Sequence, residues 1–174
     1  MADRDRARHL GARRSSAEML IQPMYNLVRR QAEVEILPLA AAEKLGVITY
    51  SPLGGGLLTG KYGTSERPES GRLVDDPRYV DRYGLETDFA TADRFTEFAQ
   101  KLDVKPATLA VAWTMSHPDV TAAIIGARNL KQLEDSVAAL DVDMTNDLRE
   151  EITALSPAPA PATDRTETLK PKWS

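Results

Sequence analysis

Three consecutive glycines follow an apolar run and a tyrosine in the string Ile48-Thr49-Tyr50-Ser51-Pro52-Leu53-Gly54-Gly55-Gly56-Leu57-Leu58-Thr59-Gly60-Lys61-Tyr62. Residues without a Cβ let the backbone turn left-handed and approach an anion closely, and a lysine just beyond them can neutralise it. A buried strand that feeds such a turn constrains the fold to architectures whose strand ends open onto a site. From the residues alone two explanations stay open: a phosphate-binding turn, or a flexible connection after a buried strand.

The flanking sequence alternates strand and helix signals. Met19, Leu20 and Ile21 read as a short buried strand, closed by Gln22, Pro23 and the polar Tyr25-Asn26. Residues 36–45 place Ile36, Leu37, Ala40, Ala41 and Leu45 on one helical face, with Pro38 in the first turn and Gly46 as the stop. Residues 47–50 form the second strand. The stretch 63–87 is charged, punctuated by Pro68, Gly71, Pro77 and Gly84, and reads as a long surface loop. Asp88 is placed to cap a helix in which Phe89, Ala92, Phe95, Ala99 and Leu102 keep a 3.6-residue period.

Pro106 opens a further helix with Leu109, Ala112 and Trp113 inward; it stops at His117-Pro118, where the imidazole is expected to complement the helix dipole. A third strand over 122–125 runs into Gly126-Ala127-Arg128-Asn129, and Asn129 begins a helix with Leu130, Leu133, Val137 and Leu140 on one side. Thr145 caps a last helix ending near Leu155. Such alternation implies right-handed βαβ crossovers and a parallel sheet, an α/β fold.

A chain of 174 residues suits one domain, but eight-fold barrels begin at roughly 200 to 250. The expected division is a remnant helix or arm over 1–17, the folded part over 18–155, and a disordered tail over 156–174 that starts with Pro157, Pro159 and Pro161. A net charge of −4 and a pI near 5.3 argue against a nucleic-acid surface or a polybasic membrane anchor. Arg4, Arg6, Arg8, Arg13 and Arg14 alternate with Asp3 and Asp5 without aromatics, which suits a surface helix better than a nucleic-acid arm. The absence of cysteine removes thiolate catalysis and disulfides, and two histidines without a carboxylate cluster argue against a metal centre. No run approaches ~18 apolar residues. A soluble cytoplasmic protein is the default expectation.

Three stretches, in order, carry a family resemblance: Gln22-Pro23-Met24-Tyr25-Asn26-Leu27, the glycine string, and Ile124-Ile125-Gly126-Ala127-Arg128-Asn129 followed by Gln132 and Leu133. Together they resemble the C-terminal portion of the aldo-keto reductases, NADP(H)-dependent enzymes on the (β/α)₈ TIM barrel. The similar branch contains bacterial general-stress reductases and potassium-channel β-subunits. The resemblance covers residues 22–140 and implies a partial barrel, about the last three strand-helix units.

It also implies a cofactor site. Gln22 would hydrogen-bond the nicotinamide carboxamide and Tyr50 would lie against the nicotinamide ring, a role that suits an aromatic face at the carboxyl end of a barrel strand. Ser51, Leu53, Gly55 and Lys61 would line the pyrophosphate with Arg72. Arg128 and Gln132 would meet the adenosine 2′-phosphate, although Asn129-x-x-Gln132 is equally a capping box, and Gly126 would be a further cofactor contact. Where the family usually has Glu-Asn at the adenine, this chain has Asp135-Ser136.

The family's acid tyrosine and its lysine, aspartate and histidine partners lie on early strands, and no residue here matches them, so no catalytic residue is assigned. The chain is therefore expected to hold NADP(H) contacts and to be inactive alone. The alternative is a nucleotide-binding regulatory or interaction module without catalysis. Three parallel strands leave two unpaired edges, which a homo-oligomer or a separate N-terminal half would cover.

Overall fold

A computed structural model describes residues 19–161. The arm over 1–17 and residues 162–174 of the tail lie outside them; residues 156–161 form neither helix nor strand. The three expected strands form one parallel sheet in chain order: β1 (Leu20–Ile21), β2 (Gly46–Thr49) and β3 (Ala122–Ala123). Leu20 pairs with Gly46 and Ile21 with Val47, while Ile48 pairs with Ala122 and Thr49 with Ala123. β3 is shorter than expected, one further bond from Ile124 N–H to Thr49 O closing the ladder.

Helix α1 (Ile36–Glu43) connects β1 to β2. It stops at Lys44, which takes the left-handed cap conformation two residues before the Gly46 stop expected above; that glycine instead opens β2. Two helices lie where the sequence reads as loop, α2 (Arg72–Asp75) and α3 (Pro77–Tyr83). They exist because Leu73 and Tyr83 are buried in an apolar cluster with Leu57, Tyr62, Phe89 and Ala92 beneath the glycine turn. Pro77 at the first helical position and Asp76, whose carboxylate accepts from Arg78 N–H at 3.1 Å, supply the local start.

Helix α4 (Glu86–Lys101) buries Phe89, Ala92, Phe95 and Ala99 as the period requires. Asp88 does not cap it. The helix begins two residues earlier, and the Asp88 carboxylate is buried in a two-pronged pair with Arg29 at 2.9 and 2.8 Å. Helix α5 (Pro106–Met115) buries seven of its ten residues, so it is a central helix packed on both sides and not an amphipathic surface one. Helices α6 (Leu130–Val137) and α7 (Asn146–Thr153) complete the chain, with Asn129 and Thr145 accepting from the N–H of Gln132 and Leu148 as their caps.

The main core lies on one face of the sheet. Val47 and Leu58 meet Leu37 and Ala40 of α1, Phe95 of α4, Leu109 and Trp113 of α5 and Ile152 of α7. A polar tie crosses this core. Arg149 donates to Trp113 O at 2.7 Å and to the Tyr25 hydroxyl at 2.9 Å, and that hydroxyl donates to Glu33 at 2.6 Å. The sheet's other face and both of its flanks stay open. Leu20 is 57% exposed on one edge, and on the other flank Leu130, Leu133, Val137 and Leu140 form an exposed apolar stripe.

His117 differs from its expected role. Its Nδ1 accepts from Asp119 N–H at 3.2 Å, and burial together with the Arg149 charge pushes its pKa below the usual value. It is a neutral acceptor at pH 7, not a cation complementing a dipole. For Glu33, burial pulls its pKa upward, but hydrogen bonds from Arg30 and Tyr25 more than reverse this, leaving a lowered value.

Both groups are depressed on folding, so the unfolded chain binds more protons and stability falls as pH falls. The loss begins as pH drops below about 6.5 for His117 and below about 4.5 for Glu33. Urea midpoints measured from pH 7.5 to 4 are expected to decline in that order, and His117→Gln to flatten the upper segment.

Candidate functional site

The carboxyl ends of β2 and β3 open onto a cleft of about 570 Å³, within the ~300 to 1,000 Å³ of small-molecule sites. Eleven of the twelve residues expected at a cofactor line it: Tyr50, Ser51, Leu53, Gly55 and Lys61 from β2 and its turn, Arg72 from α2, Gly126 and Arg128 after β3, and Gln132, Asp135 and Ser136 of α6. Gln22 is the exception; it follows β1, is exposed, and is not on the cleft wall.

The turn after β2 is left-handed at Ser51 and again over three successive glycines. Ser51 has φ 62°, and Gly54, Gly55 and Gly56 have φ 57°, 69° and 104°. Gly55 is required twice over, because a Cβ there would meet Tyr79 Cδ1 at 2.6 Å and the backbone is left-handed. Gly71, with φ 152°, lies against the Tyr62 hydroxyl where any Cβ would collide.

Ser51 is not glycine, so its conformation needs support. Asn26 Nδ2 donates to Ser51 O at 2.9 Å, and the buried Tyr83 hydroxyl lies 3.0 Å from Ser51 Oγ and 3.3 Å from Asn26 Nδ2. Arg29 covers the Tyr83 ring at 5.1 Å while paired with Asp88. Local sequence does not reveal these roles of Asn26 and Tyr83, because the contacts join positions 25 and 57 residues apart. Tyr79 also lines the cleft, with the Arg72 guanidinium 5.3 Å from its ring centre.

Lys61, Arg72 and Arg128 converge on the cleft, and a smaller hollow beside it is bounded by the same three with Ser70, Gly71 and the carboxylates of Asp75 and Asp76. Among the described residues none of these cations forms an ion pair. Burial, and then the charges of Arg128 and Arg72, hold the Lys61 ammonium below its usual pKa. Mutual repulsion of that kind is relieved by a bound anion carrying more than one charge.

Gln132 acts in the backbone as well as on the cleft wall. Its Oε1 accepts from Arg128 N–H at 3.0 Å while its own N–H donates to Asn129, a capping box displaced by one residue that fixes the Gly126-to-Asn129 turn. Ser136 Oγ donates to Gln132 O at 2.9 Å, and Asp135 pairs with Lys105 at 2.5 Å. Among the described residues no group of three metal-ligating side chains is present, and no helix is long and apolar enough to cross a membrane.

A left-handed glycine turn at a strand end, three converging cations and a capped helix opposite bound this cleft, and comparison with known proteins identifies its lineage. The sequence model of the aldo/keto reductase family matches residues 12–157. The chain belongs to that family. An uncharacterized oxidoreductase of Bacillus subtilis, YrpG, is 33% identical over 138 residues, covering 79% of this chain and 40% of that protein. A probable voltage-gated potassium channel subunit beta of rice is 37% identical over 124 residues, 70% of this chain and 38% of the relative. Protein tas of Escherichia coli is 31% identical over 135 residues, 78% and 39%. This aldo/keto reductase chain thus spans about 40% of the length of the curated relatives it matches.

Proposed function

We propose that this chain is the cofactor-binding C-terminal part of an NADP(H)-dependent aldo-keto reductase, a carbonyl/alcohol oxidoreductase. The observation that carries the reading is the convergence of Lys61, Arg72 and Arg128, free of ion pairs among the described residues, on a left-handed glycine turn. That donor set suits a dinucleotide with an extra phosphate: Lys61 and Arg72 with Ser51, Leu53 and Gly55 for the pyrophosphate, Arg128 with Gly126 and Gln132 for the 2′-phosphate. Asp135 and Ser136 take the adenine end, Tyr50 offers its ring face to the nicotinamide, and Gln22 takes the carboxamide. The cofactor, when bound, supplies the hydride.

The same reading makes the sheet part of an eight-stranded TIM barrel. Three strands of eight match the 40% share of the relatives' length. The bare face with Leu20 becomes lumen, and the exposed flanks become seams with further strand-helix units, from a separate N-terminal half or a second copy. The proton-donating machinery would come from that partner, so the chain is inactive alone and sits in the cytoplasm.

The exposed stripe on α6 and the potassium-channel relative favour one second reading, a nucleotide-sensing interaction module without catalysis. Thermal unfolding tests the cofactor claim. NADPH at 100 times its Kd adds about 2.7 kcal/mol to the folded state and raises the midpoint; NADH at the same concentration is expected to shift it far less. Equal shifts, or none, would refute it.

A further inference from the structure

The cleft wall carries one carboxylate among its cations. Asp135, on α6, lines the cleft with Lys61, Arg72 and Arg128, and among the described residues no other acidic one does. Its side chain is 18% exposed, so water screens it poorly. Left bare, it would lie one helical turn beyond Gln132 and oppose any anion drawn in by Arg128.

We propose that Lys105 is a positioning residue of this cleft: it holds Asp135 in place and cancels its charge, so that the wall attracts phosphate while keeping a carboxylate acceptor. The inference rests on the cofactor reading above.

Three observations support it. Lys105 Nζ lies 2.5 Å from Asp135 Oδ1, engaging one oxygen and leaving Oδ2 as an acceptor suited to an exocyclic purine amino group. Thr108 Oγ1 donates to Asp135 O at 2.6 Å, so the first turn of α5 grips α6 by backbone as well as by side chain. Ala107, between them in sequence, itself lines the cleft, which places this clasp at the ligand's edge.

Because the lysine is 63% exposed, the pair contributes little to folding. Its effect lies in ligand binding. The chemistry it selects is a purine nucleotide carrying several phosphates, with adenine's amino group at Asp135.

The test is an NADPH fluorescence titration, at low and high salt, of the wild-type chain, Lys105→Met, Lys105→Arg and the double variant Lys105→Met/Asp135→Asn. Lys105→Met is expected to weaken binding about fivefold at low salt, with the difference shrinking as salt rises. Lys105→Arg should recover most of the loss. The double variant should do the same, since asparagine keeps an acceptor oxygen without the charge, and unfolding midpoints should stay near wild type. Unchanged binding by Lys105→Met, or an equal loss in the double variant, would overturn the proposal. A wild-type chain that unfolds cooperatively yet binds no NADPH would overturn the cofactor reading itself, and the clamp with it.

Discussion

Trp113→Ala is expected to abolish the cooperative unfolding transition of this chain at 25 °C. The indole is 1% exposed, stacks on Tyr25 with ring centres 5.2 Å apart, lies under the Arg149 guanidinium at 4.8 Å, and donates to Thr153 Oγ1 at 3.0 Å. It joins α5 to α7 and to the segment after β1. Truncating a buried tryptophan costs about 3 to 5 kcal/mol through lost transfer energy and the cavity left behind. The Thr153 hydroxyl keeps a role, since it donates to Arg149 O at 2.6 Å, so the loss is chiefly one of packing.

Domains of this size hold roughly 5 to 15 kcal/mol in total. A sheet with one bare face and two open flanks lies at the low end of that range. Urea unfolding followed by far-UV circular dichroism should therefore show a sloping baseline for the variant where the wild type shows a sigmoid. A sharp transition shifted by less than 1 M would mean that Trp113 does not anchor the core.

Arg128→Glu is expected to weaken NADPH binding by about 1.5 to 3 kcal/mol, roughly ten- to a hundredfold, and to leave NADH binding nearly unchanged. The side chain is exposed and belongs to neither apolar cluster, so its replacement should not disturb the fold. The backbone N–H of residue 128 still donates to Gln132, because that bond does not involve the side chain. What changes is one of three cations facing the cleft, reversed in sign. Removal also relieves part of the repulsion on Lys61, so its pKa should move back toward the usual lysine value. Equal losses for NADPH and NADH would assign Arg128 to a part of the nucleotide that both share.

Much of this architecture is legible from local signals. The strands at Leu20, Val47 and Ala122, the helices opened by Pro106, Asn129 and Thr145, and the glycine turn all announce themselves through period, caps and breakers that act within a few residues. The resemblance adds the cleft, and eleven of its twelve residues do line one cavity.

What the sequence hides depends on contacts between distant segments. α2 and α3, of four and seven residues, are too short to be helical by propensity and form because Leu73 and Tyr83 are buried under the turn. The start signal at Asp76-Pro77 was present but lay among prolines and glycines that also spell loop. Asp88 has the look of a cap, an acid just ahead of an apolar period, yet its partner is Arg29, 59 residues earlier. Lys105 and Asp135 meet across 30 residues, and His117 is an acceptor and not a cation because folding buries it and then brings the Arg149 charge from the last helix beside it. Gln22, the one expected residue away from the cleft, borders the open edge of β1, where the reading places further strands.

The central claim is that this chain carries a nucleotide cleft selective for the 2′-phosphate. Titrating the purified chain with NADPH and, in parallel, NADH, and following nicotinamide fluorescence, tests it most directly. Saturable binding at least tenfold tighter for NADPH is the predicted result; equal affinity for the two, or no binding by a chain that unfolds cooperatively, would contradict it.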